Sequence, residues 1–134
     1  MVASSWNATH SVGIAILDEE HRTLFELVNE LTRAVHYGRG PRGVREILER
    51  IIEADVKAAA VAERAFSGVE CRSFAEHRAE HAYLRGRLRA FLEILDPADP
   101  TQPLDLILFL SSWLTDHIQN DRQRFGPPAE GPVQ

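Results

Sequence analysis

The sequence predicts an all-α fold, an up-down-up-down four-helix bundle with an N-terminal arm. In four separate segments, apolar residues recur at alternating steps of three and four, which is the spacing of one helix face. Stretches rich in proline and glycine separate these segments, and proline is excluded from helix interiors. No β-hairpin signal and no internal repeat competes with this pattern. Four amphipathic helices joined by short loops bury their apolar faces against one another as a bundle.

The predicted elements follow from the breaks between the segments. The arm covers residues 1–16, the helices cover about 17–37, 43–67, 73–95 and 103–124, and an irregular tail covers 126–134. Residues 1–125 are therefore expected to form one domain. Loops at 38–43 and 96–103 separate the first helix from the second and the third from the fourth. A softer break lies at 67–70, where Gly68 would cap the end of the second helix.

Length and charge restrict the class of protein. A chain of 134 residues fits one domain with one core, and its formal net charge is −5. No cluster of lysine and arginine is present to neutralise phosphates, so no nucleic-acid partner is expected. Cys71 is the only cysteine, which excludes an internal disulfide, a cysteine zinc site and an iron–sulfur cluster, and it is expected to be structural.

The same reading places the protein in the cytoplasm. The N-terminus lacks a basic segment followed by an apolar run, so no signal peptide is expected. The most apolar stretch, 104–114, is about half the length that spans a bilayer, and no membrane contact is expected. No exposed apolar stripe stands out, so the oligomeric state stays open.

Four histidines lie on the predicted inward faces: His21, His77, His81 and His117. Burying a neutral imidazole without a partner costs on the order of a few kcal/mol, so four of them need a common explanation. Metal ligation uses one ring nitrogen and leaves the other for a hydrogen bond. His77 and His81 are four residues apart, so both rings leave the same helix face. We therefore predict a metal site, with the histidines at positions 10 and 36 at the surface.

Three motifs resemble the bacterial hemerythrins. They are Asp18-Glu19-Glu20-His21 after the arm, the third-helix pair His77 and His81, and Trp113-Leu114-Thr115-Asp116-His117-Ile118. The resemblance extends from Trp6 to about Phe125. It implies a four-helix bundle and, in ordinary members, a non-haem diiron centre that binds O2 reversibly. It also implies that His77, His81 and His117 ligate one iron, while His21 belongs to the other.

The sequence departs from this family at the second metal. The second helix of ordinary members supplies a histidine and a bridging glutamate, where this chain has Ala58 and Ala62. The bridging carboxylate of the fourth helix is replaced by Arg122. Asp121, one residue earlier, lies four after His117, and it is a metal ligand, an acceptor for a ligand, or a solvated helix-end residue. The family usually has glutamine where this chain has Glu20.

These losses favour a mononuclear centre. Three or four neutral imidazoles suit one divalent ion, with iron as the first choice and zinc, cobalt, nickel or copper as alternatives. The volume lost at Ala58 and Ala62 is either filled by neighbours such as Phe66 and Leu24 or left as a pocket beside the metal. Asp55 lies one turn before Ala58 on the inward stripe. It is a ligand at another level, a general base or an acceptor for a ligating histidine, unless the helix is rotated and Asp55 reaches solvent.

The expected function is a metal-dependent enzyme that acts on a small molecule or O2, with Asp55 as the catalytic acid or base. Three alternatives remain open. One is a non-catalytic module that binds metal, O2 or a small ligand, and another is a bundle whose histidines are relics. The third is a dinuclear, oxygen-binding site rebuilt from Asp55, Asp121 and Glu63.

Overall fold

The computed structural model describes residues 10–68, 71–96, 98–99 and 101–126, and this part of the chain holds four helices and no strand. They are α1 (Ala15–His36), α2 (Gly40–Ala65), α3 (Arg72–Ile94) and α4 (Gln102–Phe125). Each helix packs against the next, and α1 also packs against α4, which closes the ring. The predicted four-helix bundle is confirmed. None of the helices combines the length and apolarity that crossing a membrane requires.

The buried residues divide the bundle into two halves along its axis. The half next to the α1–α2 and α3–α4 connections holds the apolar core, and we call it the core half. The other half holds most of the buried polar side chains together with apolar residues such as Leu17, Ala62 and Phe74, and we call it the site half. Fully buried members of the core half include Leu31, Leu48, Ile51, Leu84, Leu88 and Leu106.

Two helices begin earlier than their prolines suggested. α2 starts at Gly40 rather than at residue 43, with Pro41 in its first turn. α4 starts at Gln102, with Pro103 in the same place. Proline fits the first turn because the N–H that it lacks would have no partner inside the helix there. Gly40 has a φ of 85°, a conformation that favours glycine, and it lets the chain turn directly into α2.

The ends of the chain are described only in part. Trp6 and most of the predicted arm lie outside the described residues, as does the predicted tail beyond Gly126. Within the described part, Val12 is buried and its N–H donates to Asp18 of α1 at 2.8 Å, which fixes the entry into the first helix. At the start of α3, the exposed Cys71 caps the helix, because its Sγ accepts the N–H of Phe74 at 3.4 Å.

Candidate metal centre

The four predicted histidines converge in the site half. His21 comes from α1, His77 and His81 from α3, and His117 from α4, and none is more than 3% exposed. The Nε2 atoms of His81 and His117 are 3.0 Å apart. The ring of Trp113 stacks on His117 at a centroid distance of 4.5 Å and restricts the rotation of its imidazole. The helical period on α1, α3 and α4 is therefore sufficient to bring all four rings to one place.

Glu20 reaches the same point from α1. Its Oε2 lies 2.7 Å from Nε2 of His81, 3.3 Å from Nε2 of His77 and 3.8 Å from Nε2 of His117. The sequence analysis gave this residue no role. The helical spacing did indicate an inward position, because Glu20 lies three residues after Leu17 and four before Leu24, both of which are buried. Glu20 is thus a carboxylate among the histidines, and it comes from α1.

Asp121 completes the cluster from α4. Its Oδ2 lies 2.7 Å from Nδ1 of His77, 3.0 Å from Nε2 of His21 and 3.2 Å from Nε2 of His117. The side chain is fully buried, so the reading of Asp121 as a solvated helix-end residue is wrong. Its second oxygen accepts from Arg124 at 2.8 Å. Asp121 therefore contacts three of the four histidines and is itself held by a guanidinium.

The separations between these atoms fit ligands of one shared ion. Two ligands that bind the same transition metal at about 2.0–2.2 Å cannot be farther apart than about 4.4 Å. The distances from Glu20 to the three Nε2 atoms fall inside that limit, as do those from Asp121 to Nε2 of His21 and of His117. His77 contacts Asp121 through its opposite nitrogen, Nδ1, so that contact is a hydrogen bond to the ring rather than a pair of ligand atoms. One atom each from Glu20, His21, His77 and His117 lie within 4.8 Å of one another. The residues present thus fit a metal ion by donor type and by their proximity, and the most distant atoms need to move inward by only a few tenths of an ångström to share it.

Behind His81, Asp55 and Arg85 form a support. Nδ1 of His81 lies 2.5 Å from Oδ1 of Asp55, and the other oxygen of Asp55 accepts from Arg85 at 2.8 Å. Asp55 is fully buried, so the rotated-helix alternative is wrong. Both oxygens of Asp55 therefore have partners, and the contact with Nδ1 orients the ring of His81. The role of Asp55 as a catalytic acid or base stays a prediction.

Behind His117, Glu80 and Arg124 form an equivalent support. Nδ1 of His117 lies 2.6 Å from Glu80, which also accepts from Asn120 at 3.0 Å and is ion-paired with Arg124. Glu80 is not among the candidate site residues that the sequence analysis names. Its position three residues after His77 indicates that it faces the cluster, because residues three apart share a helix face.

The cluster attracts positive charge strongly. Burial raises the pKa of the Glu20 and Asp121 carboxyls, but hydrogen bonds from the histidines outweigh burial and hold both pKa values well below their usual range. Burial lowers the pKa of His81, yet Asp55 and Glu20 overcome it and raise that pKa to about 10. For His21 burial prevails, and its pKa is lowered. Two carboxylates that stay ionised in a buried site require a cation, whether a proton on histidine or a metal.

The space left by the α2 alanines is open. A groove of about 290 Å³ runs between α1 and α2, and both Ala58 and Ala62 line it. Phe66, expected as one filler, instead stacks on Phe74 at a centroid distance of 4.5 Å. Leu24, expected as the other filler, lines the groove without closing it.

The residues proposed for a rebuilt dinuclear site do not come together. Glu63 is exposed and pairs with Arg78 at 2.6 Å, so it lies outside the cluster. Asp55 lies behind His81 rather than among the converging ligand atoms. Arg122, which occupies the family's bridging position, is half-buried and contributes no ligand.

Residues 12–129 match the family described as Hemerythrin HHE cation binding domain. The bacteriohemerythrin of Methylococcus capsulatus is 24% identical over 128 residues, which cover 95% of this chain and 97% of that protein. The bacteriohemerythrin of Stenotrophomonas maltophilia is 24% identical over 127 residues, covering 90% and 77%, and one from Pseudomonas aeruginosa is 22% identical over 116 residues, covering 87% and 74%. No solved structure matches the chain significantly. The chain therefore belongs to the hemerythrin HHE cation-binding family, as its bundle and its buried histidine cluster indicate.

Proposed function

We propose that this protein holds one non-haem metal ion and acts as a metal-dependent enzyme on a small molecule or O2. The ligands would be His77, His81, His117 and Glu20, with Asp121 and His21 completing the set. Iron is the first choice because the family to which the chain belongs supports it, and zinc, cobalt, nickel and copper suit the same donors. A divalent metal held here would supply Lewis acidity or redox chemistry.

The observation that carries the proposal is a cluster of hydrogen-bond acceptors that face one another. Carboxylates can only accept, so Asp55 and Glu80 fix the N–H of His81 and His117 on Nδ1. In the neutral rings both Nε2 lone pairs then meet at 3.0 Å, with Oε2 of Glu20 at 2.7 Å from one of them. Such a group is repulsive unless a cation lies within it. A metal ion satisfies all of these atoms at once.

The charge of the site favours one ion rather than two. The buried or half-buried carboxylates are Glu20, Asp55, Glu80 and Asp121, and the guanidiniums that contact them are Arg85 and Arg124. With neutral histidines, four negative and two positive charges leave a net charge of −2. One divalent cation neutralises this, whereas two would leave an excess buried positive charge, which is costly at low dielectric. The absence of ligands at Ala58 and Ala62 also favours one ion rather than two.

Metal content tests this stoichiometry. The protein is expressed with iron, zinc, cobalt and nickel available, and metal per chain is measured by mass spectrometry. We expect about one equivalent in the wild type and a large loss in His77→Ala and His117→Ala. His36→Ala, which removes an exposed histidine of α1, is the matched control and should keep the metal. Two equivalents per chain would instead support a diiron oxygen-binding centre, and a metal-free protein would support relic histidines.

A second candidate is a non-catalytic module that binds or senses metal, O2 or a small ligand. The observation in its favour is that both oxygens of Asp55, the residue predicted as acid or base, already have partners in His81 and Arg85. Oxygen consumption by the metal-loaded protein separates the two. Sustained consumption with added substrates, lost in His117→Ala, supports the enzyme. A spectral change on exposure to O2 that reverses on degassing, without consumption, supports the binding module.

A further inference from the structure

We propose that the groove between α1 and α2 is a binding site for a small, neutral, apolar molecule of the size of one or two fused aromatic rings. The groove is a separate feature from the metal ligands, although it ends beside them. The occupant follows from the walls, the volume and the charge of the groove.

The walls arise from one face of each helix. On α1 the lining residues are spaced 0, 3, 4, 7 and 8 along the chain, and those of α2 follow the same spacing, as expected for two packed helical faces. Three of the five positions on α2 are alanine, so the helices meet without side chains to fill the gap. Most of the lining is apolar. The full set is Ile16, Glu19, Glu20, Thr23 and Leu24 from α1, and Ala54, Lys57, Ala58, Val61 and Ala62 from α2.

The volume limits the size of the ligand. The groove holds about 290 Å³. An engineered apolar cavity of about 150 Å³ in another protein binds benzene, and pockets for drug-sized molecules begin at about 300 Å³. A single aromatic ring, indole or a short branched hydrocarbon therefore fits, whereas a helix or a folded partner does not.

The charges of the groove exclude ions as ligands. The floor is formed by Glu20, Leu24 and Ala62, all buried, while Glu19 and Lys57 lie exposed at the rim. An anion would meet the Glu20 carboxylate at the floor. An organic cation would lose its hydration among the apolar walls, and the one carboxylate on the floor is already engaged by three histidines. A neutral molecule has neither cost and gains from burial of its apolar surface.

The position of Glu20 links the groove to the metal centre. Its carboxylate lines the groove and also lies 2.7 Å from Nε2 of His81. Only this carboxylate would therefore separate a ligand on the floor from the histidine cluster. That the bound molecule is a substrate or effector of a metal centre rests on the proposed function. Its binding to the groove does not, because the walls and volume belong to the protein alone.

Indole titrated into the metal-loaded protein tests the inference, with binding followed by calorimetry and by amide NMR shifts. We expect wild-type binding with shifts along the facing turns of α1 and α2. Ala58→Leu fills the groove and should weaken binding at least tenfold. Ala60→Leu makes the same change at an exposed position of α2 and should leave binding unchanged. Ala54→Leu, one turn away on the same wall, repeats the test if Ala58→Leu does not fold.

Two results would overturn the inference: no binding of indole to the wild type, or equal binding by Ala58→Leu and Ala60→Leu. Benzoate, an anionic ring of similar size, should bind at least tenfold more weakly than indole, and equal affinity would also contradict it. Indole binding that persists in His117→Ala after metal is lost separates the groove from the metal centre. The inference can then stand where the proposed function fails, and the reverse holds for a metal-loaded protein that ignores indole.

Discussion

Replacement of Glu20 by glutamine is the most direct test of the ligand set. It keeps the size of the side chain but removes one of the two carboxylate charges that contact the histidines, the other being that of Asp121. Glutamine is also the residue usual in the family that the sequence resembles. The structure therefore makes a definite prediction: Glu20→Gln should weaken metal binding while the fold is retained.

The expected size of the effect follows from the geometry. Two unit charges 4 Å apart interact by about 4 kcal/mol at an effective dielectric constant of about 20. Part of this is offset because a buried carboxylate is itself costly to desolvate. We therefore expect a loss of about 1.4 to 4 kcal/mol in metal binding, which is about tenfold to a thousandfold in affinity.

Competition with a chromophoric chelator measures this affinity, with zinc or cobalt as the redox-stable probe. Glu19→Gln is the matched control, since it makes the same change one residue earlier, at a side chain that is 66% exposed and paired with Arg22. Glu19→Gln should bind metal like the wild type. Affinity of Glu20→Gln within twofold of both proteins would refute the assignment of Glu20 as a ligand.

The other predictions concern the supports of the histidines. Asp55 and Glu20 raise the pKa of His81 to about 10 against the effect of burial, so metal must displace a proton from the metal-free protein. Apparent metal affinity should rise by up to tenfold per pH unit between about pH 6.5 and 10; a flat profile would contradict this. In the metal-free protein, the raised pKa of His81 contributes stability that is complete below about pH 6.5 and is lost as the pH rises through 10. The free energy of unfolding in urea, measured at several pH values, checks this. Arg85→Met leaves the buried Asp55 without its guanidinium and should lower the free energy of unfolding by about 2–4 kcal/mol in urea melts, less than for a fully buried pair because Arg85 is 20% exposed. Arg89→Met makes the same change at an exposed position of the same helix and should change the free energy of unfolding by nearly zero. Equal losses in the two variants would argue against a specific role for Arg85.

The histidine cluster could be predicted from the sequence because helix geometry determines it. His77 and His81 are four residues apart, and such residues always share a face whatever the rest of the fold does. His21 and His117 continue apolar stripes, which face inward in any bundle. The confirmed four-helix fold rests on the same period, and the proline-rich breaks divide the chain into its helices.

The carboxylates could not be assigned in the same way. An Asp or Glu at the edge of a stripe faces solvent or core depending on a small rotation of the helix, since each residue advances by about 100°. Asp55 is tolerated in the core because His81 and Arg85 reach it from α3. Asp121 is tolerated because Arg124, one turn away, and the histidines contact it. Those pairings between or along helices depend on packing that periodicity does not specify. The start of α2 at Gly40 was not predicted for a local reason, because Pro41 is compatible with the first turn of a helix as well as with a loop.

The division between core half and site half has an evolutionary consequence. Packing of residues such as Leu31, Leu48 and Leu88 lies away from the histidine cluster, so this part of the core does not depend on which donors line the other half. Donors such as Glu20 and small residues such as Ala58 and Ala62 can then be exchanged in the site half while the packing of the core half is kept. In such a scaffold, one substitution can change both the number of metal ions bound and the volume open to a ligand. A change that removes a histidine from one metal opens room for a new molecule.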